Sequence, residues 1–130
     1  MPHTPKDLQA RTQAFALRIL RVFRSLPESR EARVLGPQLL RSATSVAANY
    51  RAACRARSRR DFLSKLGIVE EEADESLFWL EFIADAGLIQ REKLSDLISE
   101  AGQLTAIVVA SRRTAKANIR KSAIENRKSS

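Results

Sequence analysis

Apolar and small residues recur along this chain at alternating steps of four and three, in four stretches set apart by helix breakers. Leu8, Thr12, Phe15, Ile19, Val22 and Leu26 form the first series, which Pro27 ends. Leu39, Ala43, Val46, Tyr50 and Ala53 form the second. The third runs through Phe62, Leu66, Val69, Ala73, Ser76, Leu80 and Ile83 to Gly87, and the fourth through Leu94, Leu97, Ala101, Leu104, Val108, Ser111 and Ala115. At 3.6 residues per turn such spacing keeps returning to one face, the seam by which a helix packs on its neighbours. No strand-like alternation of any length competes with it. The pattern predicts an all-α chain.

Local signals place the helices at about 5–26, 36–56, 59–86 and 91–120. Thr4, Pro5 and Asp7 supply a capping side chain, a proline in the first turn and an acid at the positive end of the helix. Gly36-Pro37 reads as the close of a polar connection. Ser58-Arg59-Arg60-Asp61 has the form of a capping box, and Gly87 stands where a left-handed cap ends a helix. Helices two to four span roughly 30 to 45 Å each at 1.5 Å per residue. Short links between helices of similar length favour an up-down-up-down antiparallel four-helix bundle, a single domain over 1–121 with a polar flexible tail over 122–130. A pair of helical hairpins that opens and exchanges between chains is the competing arrangement.

With 130 residues the chain can bury a core without a staple, and its single cysteine excludes an internal disulfide and a thiolate metal cluster. The first residues lack the apolar run of a signal peptide, and the longest apolar run, 106–110, falls far short of the ~18 residues of a membrane span. The expected location is the cytoplasm, with no membrane partner.

Charge narrows the function further. The net is +8, divided as +10 over residues 1–60, −8 over 61–100 and +6 over 101–130. Arg51, Arg55, Arg57, Arg59 and Arg60 crowd one junction between helices, and Arg112, Arg113, Lys116, Arg120 and Lys121 lie near the end of the last. Three antiparallel reversals bring both groups, with Arg11, to one pole. Single cations there complement the C-terminal dipoles of helices two and four. So many on one pole repel one another and fit a polyanion, for which the arginine fork is well shaped. A second feature lies on helix three, where Ile68, Phe78 and Phe82, with Trp79 on the flank and Glu71 and Glu75 among them, stand opposite the seam. That face reads as an oligomer interface, with arginines of a neighbouring copy answering the glutamates in a directional contact. The alternative is that Trp79 and Ile68 only widen the core stripe.

Around helices two and three the residues resemble a known family. TSVAANYRAA at 44–53, SRRDFLSKL at 58–66 and EADESLFWLE at 72–81 are similar to the four-helix-bundle proteins of large-subunit ribosomal RNA intervening sequences. Accessory variability proteins of diversity-generating retroelements share that fold family. The resemblance covers roughly 7–120, and its most specific marks are Ser45 with Asn49, the Ser58–Asp61–Phe62 helix start, and Glu72, Glu75, Trp79 and Leu80. It implies a cytosolic bacterial protein, a homopentameric ring with a basic surface, and, from the retroelement relatives, contact with a reverse transcriptase and nucleic acid. The commoner family pattern has glutamate then glycine where Ala52 and Ala53 stand, so helix two should run further here.

Catalytic chemistry is sparse. Ser45 and Asn49, one turn apart, read as a structural polar pair that bonds between packed helices, with a ring lining or ligand contact as the alternative. The acids from Glu70 to Glu75 have no histidine beside them and point in different directions. His3 is the only histidine, Cys54 has no partner base, and Tyr50 falls on the core stripe. There is no glycine-rich phosphate loop or nucleophile motif. The sequence therefore predicts a non-enzymatic oligomeric scaffold without cofactor or metal. Its partners would be copies of itself and the backbones of RNA or DNA. The alternative is a protein-interaction scaffold whose basic pole docks an acidic protein.

Overall fold

The computed structural model describes residues 4–128, which form four helices: α1 (Pro5–Ser25), α2 (Arg30–Cys54), α3 (Arg59–Asp85) and α4 (Arg91–Lys128). α2 packs on α1 and on α3, α3 packs on α4, and α1 meets α4 only lightly. Cross-helix pairs show each reversal. Gly36 lies against Phe23, Ser42 against Ser76, and Glu70 against Arg112.

Most of the predicted seam residues are buried, while Val22, Leu26, Phe62, Ser111 and Ala115 are only partly so. Phe15, Ile19, Leu39, Val46, Leu66, Val69, Leu80, Ile83, Leu94, Leu104 and Val108 sit in one shared core. Thr12, Ser42 and Ser76 are its buried polar members. The Ser76 hydroxyl shares its one proton between Ser42 Oγ at 3.0 Å and the Glu72 carbonyl at 2.9 Å, while Ser42 Oγ donates to the Leu39 carbonyl. The two hydroxyls are thus satisfied, and they fix the register of α2 against α3.

Caps decide where the helices begin and end. Thr4 Oγ1 accepts from the Asp7 amide and the Asp7 carboxylate accepts from the Thr4 amide, a complete box at the start of α1. At α3 only the serine half forms, with Ser58 Oγ accepting from the Asp61 amide. Gly87, at φ +76°, closes α3. Its amide donates to the Ala84 carbonyl and that of Leu88 to the Ile83 carbonyl, the pair of bonds of a Schellman end.

Two expected boundaries need correction. α2 begins at Arg30 rather than near 36, because Ser29 caps it and accepts from the Ala32 amide. Gly36 and Pro37 therefore lie inside the helix. Pro37 has no amide for the Arg33 carbonyl, and it is tolerated on an exposed face. Gly36 has a packing reason, since a Cβ there would stand 2.9 Å from Leu26 Cδ1 and 3.2 Å from the Phe23 ring. The second correction is at the other end, where the tail expected from 122 is helical through Lys128. No glycine or proline follows Gly102, and strong helix formers carry the helix onward without a core. α2 passes through Ala52 and Ala53 and stops at Cys54.

Replacing Gly87 with alanine keeps the contacts but forces a Cβ into the left-handed region. Urea denaturation should show the midpoint of Gly87→Ala lowered, with about 1 kcal/mol lost and the slope unchanged. An unchanged midpoint would contradict the role assigned to this cap.

Candidate nucleic-acid interface

The end shared by the start of α1, the α2–α3 turn and the far part of α4 carries the predicted cations. A cleft of about 520 Å³ at the turn is lined by Arg51, Arg55, Arg57 and Lys65, with Asp61 its one acid. Arg59 Nη1 donates to Ser122 Oγ at 2.7 Å, tying the start of α3 to α4. At 100° per residue, Arg113, Lys116 and Arg120 project from the side of α4 opposite Ser111 and Asn118. The positive charge thus surrounds the pole on several faces.

Two of the eleven expected cations are neutralised. Arg112 Nη1 donates to Glu70 Oε1 at 3.2 Å, and its guanidinium lies across Gly67, where a Cβ would be 3.5 Å from Cζ. Arg11 belongs to the bundle's closing contact. Its Nε and Nη2 each donate to a Glu100 carboxylate oxygen at 2.7 Å, and Nη2 also donates to Gln103. The other nine, Arg51, Arg55, Arg57, Arg59, Arg60, Arg113, Lys116, Arg120 and Lys121, have no carboxylate partner among the described residues.

The second predicted surface is partly exposed. Ile68, Phe78 and Phe82 are 37%, 54% and 45% exposed, and Glu71 is exposed with them. Phe78 sits edge-on to Trp79 at 4.9 Å between centroids, with Phe82 within 6.0 Å of both. Trp79 itself is half-buried against the core, and its buried indole Nε1 has no partner. Glu75 is not left for a neighbouring copy, because Arg41 of the same chain bonds Glu75 and also Glu72. Arg41 was missed from sequence, although it lies one position before Ser42 on the flank facing α3.

Ser45 and Asn49 do share a face of α2, but they do not bridge helices. Asn49 Nδ2 donates to the Ser45 carbonyl on the same helix, and Ser42 with Ser76 makes the interhelical bond instead. A hydroxyl on the α3 seam and another beside the α2 seam were the signal for that pair. Tyr50 is buried as expected; burial first, then its neighbour Cys54, pushes the phenol above its ordinary value. His3 lies outside the described residues. No group of three His, Cys, Asp or Glu among the described residues is arranged to hold a metal ion, and none of their helices is long and apolar enough to cross a membrane.

The model of the 23S rRNA-intervening sequence protein family matches residues 6–110. The chain belongs to that family. A crystal structure of a protein of unknown function from the S23 ribosomal protein family of Bacteroides thetaiotaomicron is similar, with TM-score 0.78 and 30% sequence identity over 84% of this chain and 97% of that one. No curated protein sequence matches.

The Arg11–Glu100 contact gives a pH test. The hydrogen bond from Arg11 holds the Glu100 carboxyl below its ordinary value, against a smaller opposing effect of burial. The unfolded chain therefore binds this proton more readily than the folded one. The pair's stabilisation is complete above the ordinary carboxylate range, about pH 4.3, and is lost as pH falls through the depressed folded value. Glu100→Gln should lose about 1 kcal/mol at neutral pH, limited by the water that reaches Arg11. In melts across pH the gap from the parent should close below about pH 4. A gap that persists there would refute the assignment.

Proposed function

We propose that this protein is a non-enzymatic, ring-forming scaffold that holds nucleic-acid backbones on its basic pole. The observation that carries the reading is the set of nine cations without carboxylate partners at one end of the bundle. Seven of them are arginines, whose planar forks bond phosphate in two places. The family's name, which refers to an intervening sequence of 23S rRNA, agrees with an RNA partner. The pole reads backbone charge and shape, so its binding is weakly dependent on sequence.

The exposed Ile68, Phe78 and Phe82 support self-association, and the resemblance to ring-forming relatives favours a pentamer. An apolar patch bordered by Glu71, which has no ion pair among the described residues, is better covered than solvated. A reverse transcriptase or another protein is a further partner of such a ring, in the cytoplasm of a bacterium.

Two experiments separate the parts of this reading. Reversing Arg55, Arg59 and Arg113 to glutamate should weaken RNA binding, read by fluorescence anisotropy, by at least about tenfold while the sedimentation coefficient stays the same. Loss of the oligomer with nucleic-acid affinity retained would favour the protein-docking alternative. Replacing Phe78 and Phe82 together with glutamate should shift sedimentation at micromolar concentration to monomer. A parent protein that already sediments as monomer would end the ring.

A further inference from the structure

At the basic end, beyond the fully buried Leu66 and Val108, a groove of about 630 Å³ opens along α3 and α4. Its floor is Phe62, Ile107 and Ala115, and Ser111, Thr114 and Asn118 bring polar groups to its walls. Arg59 stands at one side, held by Ser122 with its charge unneutralised. Lys121, one turn beyond Asn118 on the same side of α4, is also without an ion pair among the described residues. The volume falls in the range of about 300–1,000 Å³ usual for small-molecule clefts.

Phe62, Ser111 and Ala115 belong to the four-three seams, so their spacing marks them for packing. None of the three is fully buried. A duplex laid on the pole would touch its cations but leave this apolar floor against nothing, since a duplex presents phosphate and sugar outward. An unpaired base has an aromatic face for Phe62, polar edges for Ser111 and Asn118, and flanking phosphates for Arg59 and Lys121. Single-strand binders combine an aromatic platform with a cationic track in the same way. A second helix of a partner protein would also fill the groove, but both charges at its mouth would then need acids placed to meet them.

We propose that this groove takes an unpaired nucleobase, so that the pole prefers single-stranded nucleic acid over duplex. The assignment rests on the backbone-binding reading above and adds the class of strand.

The test compares a short oligoadenylate with a duplex of equal phosphate count, against the parent protein, Phe62→Ala and Ala115→Leu. Phe62→Ala removes the platform. Ala115→Leu fills the groove from α4 without touching the shared core, so one variant remains informative if the other unfolds. Each should lower single-strand affinity about tenfold more than duplex affinity. Equal losses for the two ligands, or none, would overturn the groove. If the arginine reversals abolish binding while both groove variants bind as the parent does, only the groove assignment falls. If the reversals leave binding intact, the backbone reading falls with it. A photo-crosslinking p-benzoylphenylalanine at position 62 should join the oligoadenylate, and capture of a second protomer instead would assign the groove to the oligomer and overturn the proposal.

Discussion

Four helices share a core only over the length that all four occupy, and here the lengths differ widely: α1 has 21 residues and α4 has 38. α1 begins beside the α2–α3 turn, where Pro5 meets Ala53 and Cys54. Arg59 and Phe62 at the start of α3 line the cleft at that level, and α4 alone runs on past it, through Ser122 to Lys128. Burial stops at Leu66 on α3 and Val108 on α4. Burying apolar area contributes roughly 25 cal/mol per Å², so a seam that continues without a partner forgoes that stabilisation unless something else supplies the cover. The uncovered end is also the basic end, and the two properties together give the molecule its functional pole.

Charge at that pole is shaped by which cations the bundle consumes. Arg11 closes α1 onto α4 through Glu100, Arg41 ties α2 to α3 through Glu72 and Glu75, and Arg112 ties α4 to α3 through Glu70. Four of the eleven acids between residues 61 and 100 enter these internal contacts. What remains at the α2–α3 turn and along far α4 is an excess of cations without carboxylate ion-pair partners among the described residues. Like charges four residues apart on a helix, as at Lys116 and Arg120, repel, each such pair costing roughly a few tenths of a kcal/mol. A bound phosphate backbone removes that repulsion and releases counterions as it does so.

Much of this was legible in the sequence because burial imposes a period. Ile19, Val46, Leu80 and Leu104 fall on the four-three seams, and each is fully buried. Local chemistry also gave the caps at Thr4, Ser58 and Gly87. The seam could not show where burial ends, because Phe62, Ser111 and Ala115 continue the period past the last buried residues, Leu66 and Val108. Nor could it tell Arg11 and Arg112 from their unpaired neighbours, since their carboxylate partners are 89 and 42 residues away. Gly36-Pro37 misled for a related reason. It has the composition of a loop, but its glycine answers a close approach by Phe23 and Leu26 from another helix. Ser45 and Asn49 drew attention by sharing a face, whereas the bond between helices belongs to Ser42 and Ser76, one of which lies off the main seam.

The account depends on unneutralised cations gathered at one tip of the bundle acting together on a single polyanion. The most direct measurement is the affinity for a single-stranded RNA across a series of salt concentrations. Several phosphates neutralised at once predict a straight line of log affinity against log salt with a slope of several units, near −0.7 for each phosphate contact. A flat line would contradict the account, because the pole would then be a solvated helix end with no anionic guest.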